Sequence, residues 1–126
     1  MRAILELPKF DTGQYEGCDF HMSAGDANLV IKIAEIGVFS IFFQRVRWHR
    51  FTQLLSCDLA WINGAYFRLV EIPPGDLIAS LMAPYLRDKA APRPFIALRH
   101  FMIFLDETGC HEVVAESAVG SLHPVA

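Results

Sequence analysis

The sequence predicts an α+β domain built on a mainly antiparallel β-sheet of about six strands, with one principal helix packed on it. Three observations lead there. Apolar and polar residues alternate with period two in several short runs, residues 29–36 and 65–72 among them, as half-buried strands require. One segment instead places Leu77, Ile78, Leu81, Met82 and Tyr85 at helical spacing. No internal repeat, low-complexity tract or long linker divides the 126 residues, so 1–126 is expected to be a single β-rich domain around one core.

Residues 2–7 alternate loosely and predict a short first strand, which Pro8 ends by removing a backbone donor. Residues 9–28 hold Gly13, Gly17 and Gly25 among Asp11, Asp19, Asp26 and Asn28, the composition of turns rather than of a long strand. Residues 29–36 then read as a strand. Gly37 marks a turn, so this strand and the next are expected to form a hairpin.

Residues 37–51, GVFSIFFQRVRWHRF, form the longest β-favouring run and carry the densest cationic cluster. Its first part is apolar at nearly every position and needs cover on both faces. If the strand continues, Val46 and Trp48 share one face while Arg45, Arg47 and His49 share the other. Two readings stand open for residues 53–61, a short helix capped by Thr52 or a strand leading to an Asn63-Gly64 turn.

Residues 65–72 form a strand stopped by Pro73 and Pro74, and Asp76 caps the helix that follows. Pro84 ends that helix near Ala83 or bends it. Residues 90–94 read as an extended linker. Residues 95–106 and 111–117 make a hairpin around Asp106, Glu107, Thr108 and Gly109, with Glu112 and Glu116 on a polar outer face. The tail from Val119 is expected to fray.

Composition bounds the function. Hydrophobic residues make up 53% and aromatic residues 12% of the chain, which leaves apolar surface to spare for a partner or a homodimer. A net charge of −3 excludes bulk nucleic-acid binding, and no apolar run is long enough to cross a membrane. The N-terminus lacks a signal-peptide pattern, and three cysteines without a disulfide framework fit the cytoplasm.

The candidate contact residues are Arg45, Arg47, His49 and Arg68 beside Trp48, with Arg50 nearby. Guanidinium forks match carboxylates and phosphates, and an aromatic neighbour suits an anionic ligand or an acidic partner surface. An arginine-rich strand is also an ordinary defence against edge pairing. Cys18 with His21 and Cys110 with His111 can be written as a zinc set, but close paired spacings are missing and no metal or other cofactor is expected. No local signature singles out a catalytic nucleophile.

Two segments, FFQRVRWHRF at residues 42–51 and HFMIFLDETGCHEVVAES at residues 100–117, resemble small uncharacterised bacterial proteins, including immunity proteins of polymorphic toxin systems. The resemblance implies a non-enzymatic protein that neutralises a protein partner by binding it, through acidic loops and the arginine face, and implies no catalytic residues. The alternative is a small anionic-ligand-binding protein or enzyme that uses Arg45, Arg47 and Arg68 beside Trp48.

Overall fold

The computed structural model describes residues 1–87 and 97–125, which form nine strands in two sheets with two helices. The expected antiparallel, helix-covered architecture holds, while the strand count exceeds the expected six and a second helix joins the first. One sheet contains β1 (Arg2–Glu6), β5 (Trp48–Gln53), β6 (Arg68–Ile72), β7 (Arg99–Leu105) and β8 (Gly109–Ala115) in the order β1-β6-β7-β8-β5. The other contains β2 (Tyr15–Ser23), β3 (Asp26–Ile33), β4 (Gly37–Gln44) and β9 (Ser117–Pro124) in the order β2-β3-β4-β9.

The two sheets pack face to face around Leu29, Ile31, Ile41, Phe43, Phe101 and Ile103, all fully buried. Each such side chain contributes roughly 1.5–3 kcal/mol by leaving water. The five-stranded sheet is covered a second time on its far side. There α1 (Leu59–Ala65) sets Trp61 and Ile62 over Val70, Met102 and Phe104, and α2 (Asp76–Arg87) sets Ile78, Leu77, Leu81 and Met82 over Val114 and Trp48. Double cover explains why β7 and β8 are apolar at most positions instead of alternating. Among the described residues, no helix is long and apolar enough to cross a membrane.

Several local expectations change. The turn-rich segment contains the nine-residue β2, which absorbs an irregularity through a register shift between Tyr15 and Gly17 and gains its order by pairing with β3. The tail is β9, paired with β4 over eight residues. Residues 53–61 are neither alternative in full: β5 runs to Gln53, a single 3-10 turn follows, and Asp58 rather than Thr52 caps α1 by accepting from the Ala60 N–H at 2.9 Å. Asn63 and Gly64 lie inside α1, not in a hairpin turn. The second helix continues through Pro84 to Arg87. The expected linker at 90–94 and the first residues of the 95–106 strand fall outside the described residues.

The largest correction concerns residues 37–51. They are two strands in different sheets, because Arg45 adopts a left-handed conformation with φ 52° and turns the chain out of β4. Three bonds hold the crossing. Asp26 Oδ1 accepts from the Arg45 N–H at 2.9 Å, the Gly25 carbonyl from Val46 at 2.7 Å, and the Val114 carbonyl from Arg47 at 2.8 Å. Val46 meanwhile packs against the inter-sheet core, which offsets the backbone strain.

Candidate functional site

The turn at Arg45 separates the residues that a continuous strand would have aligned. Arg45 and Arg47 both reach the carboxylate of Glu116, at 3.6 and 3.8 Å, just where β8 passes into β9. Trp48 faces the helices, whereas His49 points between the sheets. Arg68 lies on β6, separated from β5 by β7 and β8, and pairs with Glu6 at 3.6 Å. The structure therefore does not bring Arg45, Arg47, His49 and Arg68 to one face beside Trp48.

A different cluster occupies the helix-facing side of β5, β7 and β8. Arg50 lies opposite Glu112 in the antiparallel register, and its guanidinium donates to Glu112 Oε1 at 2.8 Å. His100 Nε2 sits 3.2 Å from the other oxygen, Oε2. Glu112 is 3% exposed, so the polar outer face expected for β8 is in fact an interior surface. Burial pushes its carboxyl up, but the bonds from His100 and Arg50 oppose this and leave it below the ordinary carboxylate value. Arg50 also stands over the rings of Trp48 and Trp61, at 5.4 and 5.8 Å from their centroids. Both carboxylate oxygens of Glu112 are thus engaged, one by Arg50 and one by His100, which suits a structural bolt.

A second cluster lies between the sheets where the edge strands β2 and β5 meet. Cys18 Sγ is 3.7 Å from His111 Nε2, and His111 Nδ1 is 3.2 Å from His49 Nε2. Phe20 stacks on His49 with centroids 3.8 Å apart. A thiol, an orienting imidazole and a second imidazole in series have the connectivity of a nucleophile relay. The electrostatics run the other way: burial raises the Cys18 thiol, and burial with the neighbouring His49 lowers His111 to about 4. A neutral thiol beside a neutral imidazole is a packed pair, not an activated one. The cysteine–histidine set written from sequence is split, since His21 and Cys110 lie on the opposite faces of their strands from Cys18 and His111. Among the described residues, no group of three or more His, Cys, Asp or Glu is arranged to hold a metal ion.

No family model, curated protein or solved structure matches this chain. The charges outside the two clusters must therefore be read on their own.

Strand directions sort those charges between the two ends of the sandwich. The end that carries the Arg45 turn also holds Arg2 and Arg99, both bonded to Glu71 at 2.8 and 2.7 Å. At the opposite end the turn beginning at Asp11, the β3–β4 turn and the β7–β8 turn come together. Gln14 and Ala34 exchange backbone and side-chain bonds at 2.8 and 2.9 Å, and the Tyr15 hydroxyl meets Thr108 Oγ1 at 2.6 Å. This joined surface presents Asp11, Glu16, Glu35, Asp106 and Glu107, with the exposed ring of Tyr66 bonded to Asp106 at its rim. None of these five carboxylates makes an ion pair among the described residues.

The sequence marked the arginines and passed over this end, because its acids come from three turns far apart in the chain. The signal that was available is the turn chemistry itself: each acid sits in or beside a predicted turn, and hairpin connectivity returns alternate turns to one end.

Proposed function

We propose that this chain is a small non-enzymatic protein that binds a protein partner bearing a basic surface, through its acidic turn end. The observation that carries this is the set of five carboxylates, without an ion pair among the described residues, in or beside three turns of which the one beginning at Asp11 is bonded to the other two. Elsewhere the buried acids are already matched within the chain: Glu112 with Arg50 and His100, Glu71 with Arg2 and Arg99, and Glu116 with Arg45 and Arg47. The acidic end gathers five carboxylates that make no ion pair among the described residues, and so offers concentrated charge for an outside group to complement. Rigid turns present that charge with little ordering cost, and an acidic patch on a net-negative protein accelerates encounter with a cationic partner.

The resemblance of residues 42–51 and 100–117 to immunity proteins supports the same kind of activity, neutralisation by binding. Under this reading the arginines act within the fold rather than in the contact. The anionic-ligand alternative would need Arg45, Arg47 and Arg68 to converge beside Trp48, and their separation weighs against it.

The test is a native-lysate pull-down at physiological salt, run in parallel with wild type and a Glu35→Lys/Glu107→Lys variant. Both positions keep a side chain of similar length at left-handed backbone sites, so the fold is retained. The expected outcome is a basic protein captured by wild type, released by raised salt and absent from the variant. Capture that survives charge reversal, or no specific capture at all, overturns the proposal.

A further inference from the structure

We infer that β9 is a self-association edge, which pairs antiparallel with β9 of a second copy about a two-fold axis at Gly120. Each sheet has two edge strands, and three of the four are guarded. Strand β1 carries Arg2 and Glu6 and a register shift between Ala3 and Leu5. Strand β2 carries Glu16 and Asp19 and its own shift, and β5 carries Arg50 and follows the Arg45 turn. Charges and bulges of this kind keep edges from pairing with another chain. Strand β9, SAVGSLHP, has no Asp, Glu, Lys or Arg, and its register with β4 runs unbroken from Ser117 to Pro124.

The direction of its free groups follows from the ladder. The Val125 N–H donates to the Ile36 carbonyl at 3.2 Å, one step beyond the pair Pro124 and Gly37. In an antiparallel ladder hydrogen-bonded and non-bonded pairs alternate, so the odd-numbered residues of β9 bond β4. Ala118, Gly120 and Leu122 therefore turn both N–H and C=O outward. Pro124, which has no N–H, also falls on the outward set and closes the strand at its end.

Three outward residues spaced by two are self-complementary under a two-fold axis. With Gly120 opposite its own copy, Ala118 lies opposite Leu122 of the second copy, and Leu122 opposite that copy's Ala118. Each pair exchanges two bonds, giving six in all. The flanking side chains agree: small Ala118 meets large Leu122, Val119 meets Ser121, and no like charges oppose each other. The result is a continuous eight-stranded sheet closed by an isologous contact. The acidic turn end lies at the ends of the strands, off this edge, so self-pairing and partner binding are independent.

Sedimentation velocity and residue-resolved hydrogen exchange test the inference together. Wild type is expected to sediment at twice 14.2 kDa, with the amides of Ala118, Gly120 and Leu122 gaining protection as concentration rises. Ser121→Lys, which adds an edge charge beside the axis, should shift the protein to monomer. Ser40→Lys, its cross-strand partner one strand inward on the same face, should leave the dimer intact and controls for charge and folding. A wild-type monomer at all concentrations up to ~100 µM overturns the inference, as does a dimer in which those three amides exchange freely or Ser121→Lys has no effect.

Discussion

Arg50 and Glu112 face each other across neighbouring strands at 2.8 Å, with the arginine side chain half in water and the glutamate 3% exposed. The asymmetry sets what each substitution costs. Removing Arg50 strands a carboxylate in the layer beneath the helices, with His100 as its remaining partner among the described residues. Arg50→Ala is expected to cost about 2–3 kcal/mol, below the range for a fully buried pair because water can reach the vacated site. Arg50→Ala/Glu112→Gln should recover much of that loss, since a neutral amide tolerates burial better than an unpaired charge. Urea unfolding of the two variants measures the difference, and equal losses would contradict the arrangement.

Acid should weaken the fold before the carboxylates titrate. Burial, assisted by His49, lowers His111 from 6.5 to about 4, and burial lowers His49 in the same direction. A histidine held neutral in the fold protonates first in the unfolded chain. Its contribution is therefore present above pH 6.5 and is lost as pH falls towards 4, at up to about 1.4 kcal/mol per pH unit. Between pH 6.5 and 5 the wild type should lose about 1.5 kcal/mol from His111. Equilibrium unfolding across that window checks this, with His111→Gln expected to flatten the slope.

A carboxylate effect follows at lower pH. Bonds from Arg99, opposed by burial and assisted by Arg2, hold Glu71 down at about 2. Because its folded value is depressed, its stabilisation is present above the unfolded value near 4.5 and disappears as pH falls to about 2. Glu71→Gln should therefore lower stability at pH 7 and have progressively less effect towards pH 2. A constant difference between wild type and variant over that range would sink the assignment.

The local features were the legible ones. Asp106 to Gly109 announced a hairpin through turn chemistry, Pro8 and Pro73 stopped their strands, and the long helix was legible at Asp76, which is its first residue rather than the cap before it. What escaped depended on distant residues. Nothing in residues 42–51 marks Arg45 as a left-handed position, because Asp26 and Gly25 hold it from another turn. Glu112 read as an outward acid because alternation records two faces without saying that helices cover the second. Strand β9 read as a fraying tail since Ala118 and Gly120 are too small to advertise a core face, although Gly120 is small for a reason: a Cβ there would press on the Phe39 ring at 2.8 Å. The acidic end was invisible for the same reason as the Arg45 turn, its parts being brought together only by topology.

Gly37 should be among the least replaceable glycines. Its φ is 136°, and an added Cβ would collide with the His123 carbonyl oxygen across the β4–β9 ladder. Neither the backbone conformation nor the neighbouring strand can yield cheaply, so Gly37→Ala is expected to cost about 2 kcal/mol or more. Gly13 has open space around its Cβ position, and Gly13→Ala should stay within about 0.5 kcal/mol of wild type. Paired thermal melts settle the contrast. Comparable losses in the two variants would mean that the β4–β9 pairing is not as close as described.

Cysteine chemistry separates a binding protein from a thiol enzyme. Cys110 is fully buried beneath the helices, and burial is the main cause pushing its thiol up to about 12. Cys18 is raised too, by burial above all, and its neighbour His111 resists the positive charge that would stabilise a thiolate. Iodoacetamide alkylates thiolates, so in the native protein at pH 8 Cys110 should remain unmodified until denaturant is added, and Cys18 should react more slowly than a free thiol. Peptide mass spectrometry after timed labelling reads each site separately. Rapid labelling of Cys18 at pH 6 would reveal a thiolate–imidazolium pair, and the relay geometry of Cys18, His111 and His49 would then have to be taken as a catalytic one.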